Sequence, residues 1–77
     1  MAWNFKGWDV SMSDEDLEGK CSTEITPQNE FVVTVREGLK ARIRVTKDDD
    51  ANVECDDGLS AVKSKTTRTV KIFLMGR

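Results

Sequence analysis

Residues 31–45 read FVVTVREGLKARIRV, and laid out as two strands they pair almost residue for residue. Leu39, Ala41, Ile43 and Val45 alternate with Lys40, Arg42 and Arg44, which is the periodicity of a half-buried strand and not of a helix. Phe31, Val33 and Val35 carry the same phase on the other side of Arg36-Glu37-Gly38. A three-residue loop with glycine in third place turns left-handed without steric cost, and it sets Val35 against Leu39, Val33 against Ala41 and Phe31 against Ile43. The opposite face then places Thr34 beside Lys40, Val32 beside Arg42 and Glu30 beside Arg44, so apolar meets apolar and charge meets counter-charge. Carried through a loop at 47–51, the ladder sets Val45 against Val53 and Ile43 against Cys55, with Arg44 opposite Glu54 and Arg42 opposite Asp56. This is a β-meander, and it gives most of the conspicuous charges a structural role.

Outward from this ladder, Trp3 and Phe5 alternate around Asn4, and Trp8, Val10 and Met12 around Asp9 and Ser11, with a bulge or bend expected at Lys6–Gly7. Ser13-Asp14-Glu15-Asp16 is a capping signal for one helical turn ending at Gly19. Cys21, Thr23 and Ile25 alternate with Lys20, Ser22 and Glu24 until Pro27 closes the strand. Leu59–Val62 fits either a strand end or a turn of helix, and Ser64–Thr67 reads as loop. The run Arg68–Met75 is apolar on both faces, which suits a central strand or an interface. The expected fold is all-β: a small antiparallel meander closing into a sandwich or barrel of five to six short strands, with at most one helical turn near 14–18. The inward set is Trp3, Phe5, Trp8, Val10, Cys21, Ile25, Phe31, Val33, Val35, Ala41, Ile43, Val45, Val53, Cys55, Val70, Ile72 and Leu74.

A chain of 77 residues has room for one small domain, 1–77, with a narrow stability margin. No apolar run reaches the roughly 18–20 residues of a membrane span, and Met1–Val10 lacks the basic start and apolar stretch of a secretory signal. The expected compartment is therefore the cytoplasm, with no membrane partner. The net charge of −2 conceals an asymmetry: residues 1–30 hold seven acids and two bases, giving −5, and residues 31–77 hold seven acids and ten bases, giving +3. Cys21 and Cys55 each sit in phase with apolar neighbours and read as reduced, buried thiols. Two cysteines without histidine cannot supply the four ligands of a structural zinc site, and no metal or cofactor is expected.

Asp48, Asp50 and Asn52 match the first, third and fifth positions of a calcium loop, but Val53 stands where glycine is needed and Leu59 where a bidentate glutamate is needed. The acids Asp48, Asp49 and Asp50 thus read as a solvated hairpin loop. Together with Asp14, Glu15, Asp16 and Glu18 they form the candidate acidic surface. Lys63, Lys65, Arg68 and Lys71 are a basic set without obvious counter-charges and form the candidate anion-binding surface. No aromatic pair or phosphate-binding glycine loop accompanies them, so nucleic acid is not the expected partner. With no His and no Tyr, general acid–base chemistry reduces to Asp, Glu and Lys, and no carboxylate pair stands out from the surface charge, so an enzyme is not expected. Trp3 and Trp8 either anchor the first strand in the core or, with Phe73 and Met75, form an interface. The leading expectation is a non-enzymatic small β-domain acting by protein–protein binding or self-assembly, with an unknown protein or a second copy as partner. The alternatives are an acidic decoy or inhibitor of a nucleic-acid-binding protein, and weak nucleic-acid binding through the C-terminal basic segment.

Overall fold

The computed structural model describes residues 3–35 and 38–75. Over these the chain runs through β1 (Trp3–Phe5), β2 (Trp8–Met12), the short helix α1 (Glu15–Glu18), β3 (Ser22–Ile25), β4 (Phe31–Thr34), β5 (Lys40–Val45), β6 (Ala51–Cys55), β7 (Leu59–Ser64) and β8 (Thr69–Leu74). The strands form two four-stranded sheets, ordered β1-β2-β8-β7 and β3-β4-β5-β6, whose inner faces enclose one apolar layer. The fold is all-β and a sandwich. Its strands number eight where the spacing suggested five or six, because the first segment divides into β1 and β2 and because Leu59–Ser64 is strand and not helix.

The second sheet follows the meander. β4 and β5 pair in the expected register, with Phe31 across from Ile43, Val33 from Ala41 and Thr34 from Lys40. Arg36 and Glu37 lie outside the described residues, but Gly38 has φ 78° and the Val35 amide donates to the Leu39 carbonyl at 2.7 Å, as the three-residue loop requires. The neighbouring hairpins obey the same rule without glycine. In each, a threonine opens the loop, and its hydroxyl accepts the closing residue's amide: Glu30 N to Thr26 Oγ1 at 3.1 Å, and Asp50 N to Thr46 Oγ1 at 3.2 Å. The left-handed third position is Asn29 at φ 68° and Asp49 at φ 65°, residues that tolerate it better than most.

The Thr46–Asp50 hairpin corrects one expectation. Its loop is Lys47–Asp49, not 47–51, so β6 sits two residues away from the anticipated register: Ile43 faces Val53, Ala41 faces Cys55, Arg44 faces Asn52 and Arg42 faces Glu54. A shift of two leaves every side chain on its original face, which is why the core assignment survives while the cross-strand partners change. Arg44 still bonds Glu30 at 2.6 Å, and Arg42 reaches Asp56 diagonally at 3.3 Å.

The first sheet is less local. Lys6–Gly7 is a tight two-residue turn and not a bulge, since Phe5 pairs with Trp8 and both turn residues have positive φ. β2 then lies parallel to β8, with Val10 beside Val70 and Met12 beside Ile72, while β7 pairs antiparallel with β8. β8 is thus central, which accounts for Val70 and Ile72 being fully buried. The helix is capped by Asp14 and not Ser13: Asp14 Oδ1 accepts the amides of Asp16 and Leu17 at 3.0 and 3.4 Å. Leu17 adds to the core from this turn, as do Met12, Ala51 and Leu59, none of which the inward set contained. Ile25, placed inward from the sequence, is 61% exposed.

Among the described residues no atom beyond its chain neighbours lies within 4 Å of where a Cβ on Gly38 would stand, so the cost of Gly38→Ala is that of the left-handed backbone at φ 78°. The substitution is expected to lower stability by about 1–2 kcal/mol. A urea denaturation series reads this as a lower midpoint at unchanged slope.

Candidate protein-binding surfaces

The charged loops at the β6–β7 seam pair with one another. Lys63 on β7 donates from Nζ to Asp50 Oδ1 at 2.9 Å and to the Ala51 carbonyl at 2.6 Å, crossing from one sheet to the other. Arg68, in the turn before β8, forms an ion pair with Asp49. Half of the candidate basic set is therefore joined to two of the three loop aspartates. The Lys63 hydrogen bond, with that of the Ala51 amide, holds the Asp50 carboxyl below its usual range. Asp48, Lys65 and Lys71 remain exposed. Among the acids near the helix, Asp14, Glu15 and Asp16 are exposed, whereas Glu18 is buried and accepts the Met12 amide at 2.9 Å.

The outer face of the second sheet carries a shallow groove of about 440 Å³ lined by Glu30, Arg42, Arg44, Asn52, Val53 and Glu54. Its charges are the cross-strand pairs already described. The Lys40 amide and then the Arg42 guanidinium bond Asp56 and keep its carboxyl below the ordinary range. Val32 lies directly opposite Arg42 on this face and is nonetheless buried, consistent with the aliphatic stem of an arginine covering apolar surface. Sequence periodicity alone gives no signal for that burial.

The four apolar interface candidates separate. Trp8 is fully buried in the core, so the structure removes it from any surface. Trp3 is half-buried at the rim, its ring 6.3 Å from that of Phe31. Phe73 and Met75 lie on the outer face of the first sheet, Phe73 half-buried and Met75 58% exposed. Val62, which the sequence did not single out, joins them there: it is 61% exposed and diagonal to Phe73 across the β7–β8 ladder. Its signal in the sequence was the alternation of Leu59, Ala61 and Lys63 with Ser60 and Val62, which becomes readable only once the segment is known to be strand.

Cys21 and Cys55 are free thiols, each half-buried, and burial pushes both above the ordinary thiol range. Among the described residues no group of three His, Cys, Asp or Glu side chains converges as a metal site. No helix among them is long and apolar enough to cross a membrane. Comparison with protein-family models, with curated proteins and with solved structures finds no match to this chain.

Proposed function

We propose that this chain is a non-enzymatic β-domain that acts by binding protein, and that it self-associates through the outer face of β7 and β8. The observation that carries this reading is the apolar row Val62, Phe73 and Met75 on a sheet face that no described layer covers. Within the candidate basic set Lys63 and Arg68 are already paired with Asp50 and Asp49, whereas no described layer covers Val62, Phe73 and Met75. A stable interface buries on the order of 1,200–2,000 Å² in total. That is roughly 600–1,000 Å² from each copy, out of an accessible surface of 4938 Å², so a sheet face of this domain is large enough to supply it. The unlinked thiols suit the reducing cytoplasm.

Light scattering at micromolar concentration tests the reading. The wild type is expected to show a mass above that of one 8.7 kDa chain, and Val62→Glu or Met75→Glu, both at exposed positions, should return it to a monomer without loss of folding. A monomeric wild type across the accessible concentration range would remove self-association.

A further inference from the structure

The two seams of the sandwich are closed differently. Where β6 meets β7, a tight connection through Asp57–Gly58 joins the sheets, and Lys63 occupies the Ala51 carbonyl on the β6 edge. Where β1 and β3 form the opposite edges, β1 has only three residues, and all four residues of β3 are exposed.

Hydrogen-bond parity shows what this open edge offers. The Thr26 amide donates to the Glu30 carbonyl at 2.9 Å, which makes Thr26 and Glu30 a bonded pair; by alternation Glu24 pairs this way with Val32 and Ser22 with Thr34. The amides and carbonyls of Thr23 and Ile25 therefore point away from β4, and no described strand meets them. Their side chains lie on the core side of the sheet, opposite Val33 and Phe31, yet both are exposed, Ile25 at 61%. Trp3 packs on the same Phe31 and is itself half-buried. The edge thus presents backbone groups with no partner among the described residues, an unfinished apolar layer on one side, and the exposed carboxylate of Glu24 on the other.

We infer that β3 accepts an extended peptide segment of another protein as an added antiparallel strand, and that this segment alternates apolar and basic residues. Apolar side chains of the incoming strand extend the layer begun by Ile25 and Trp3, and a basic side chain on its other face meets Glu24. The exposed acids Asp14, Glu15 and Asp16 precede the same strand and favour the same sign of partner. Charge argues against a second copy paired two-fold about Glu24, which sets Glu24 opposite Glu24 of that copy, because like charges directly opposite destabilise a ladder. This inference concerns a different sheet from the self-association face and stands without it.

The test uses two capped heptapeptides, one alternating lysine and valine and one alternating glutamate and valine, with amide hydrogen exchange followed by NMR. The basic peptide is expected to slow exchange at Thr23 and Ile25, by about tenfold when nine-tenths of the sites are filled, and to bind more weakly as salt rises. Thr23→Pro removes an amide that faces away from β4, a position where an edge strand tolerates proline, and should abolish binding while the spectrum stays folded. Should that variant fail to fold, Glu24→Lys, at an exposed site, should transfer the preference to the acidic peptide. Equal binding of both peptides, or a folded Thr23→Pro that still binds, overturns the inference. So does protection at Val62 and Phe73 in place of β3, a result that leaves the self-association reading intact. Protection of Thr23 and Ile25 in the free protein that rises with its own concentration would assign the edge to a second copy and likewise overturn it.

Discussion

Trp8→Ala is expected to move the urea midpoint far below that of the wild type. Trp8 is fully buried, and truncating such a side chain costs about 3–5 kcal/mol, partly as lost apolar burial and partly as the cavity left behind. At about 0.05–0.15 kcal/mol per residue, a chain of 77 residues has roughly 4–12 kcal/mol in total, so the loss is a large share of what there is. Trp8→Phe should behave differently. The indole Nε1 is buried and finds no acceptor among the described residues, and a buried orphan donor carries a penalty of about 1–3 kcal/mol that phenylalanine removes. That gain offsets much of the smaller cavity, and the urea midpoint of Trp8→Phe should lie much nearer the wild type than that of Trp8→Ala. Equal losses in the two variants would mean that Nε1 is hydrogen-bonded in solution.

Glu18→Ala should have the next largest effect, about 1–3 kcal/mol, because it strands the Met12 amide, which donates to Glu18 Oε2 at 2.9 Å inside the structure. Burial by itself raises the Glu18 pKa, but hydrogen bonds to the carboxylate, the Met12 amide among them, outweigh it and leave the folded value below 4.5. The sign follows: the unfolded state takes up a proton first, so the contribution is complete above pH 4.5 and disappears as pH falls through the folded value. Acid denaturation of the wild type should therefore steepen below that pH. The difference in stability between wild type and Glu18→Ala should shrink over the same range; a difference that stays constant down to pH 2 would show that the ionised carboxylate is not what holds Met12.

The β4–β5 pairing was legible in the sequence because two independent signals agreed there, the cross-strand charges and Gly38 in the left-handed loop position. The β5–β6 pairing was misread by two residues because Asp49 takes the same left-handed position without advertising it, and an acidic run reads as a longer loop. Alternation fixes which face a residue occupies but not whether another sheet covers it, and Ile25 is where that distinction matters. The parallel pairing of β2 with β8 has no local signature, since nothing near Val10 refers to Val70. For the candidate sites the same limit applied. Lys63 and Arg68 looked unpartnered because Asp50 and Asp49 reach them only when the two sheets close.

The parallel pairing of β2 with β8 also fixes an order of events as the chain is made. β3 to β6 pair only with sequence neighbours through short loops, so that sheet can assemble as soon as Cys55 has emerged. The hairpin of β1 and β2, with Trp3, Phe5 and Trp8, precedes that sheet in the chain and yet has no further strand to pair with until β8 arrives. At roughly 5–20 residues per second the ribosome keeps these aromatic side chains waiting for several seconds. In that interval the nascent chain displays the hairpin that holds both tryptophans beside a sheet already formed. A chaperone that delays release until Leu74 is out would act on this protein at its most vulnerable stage.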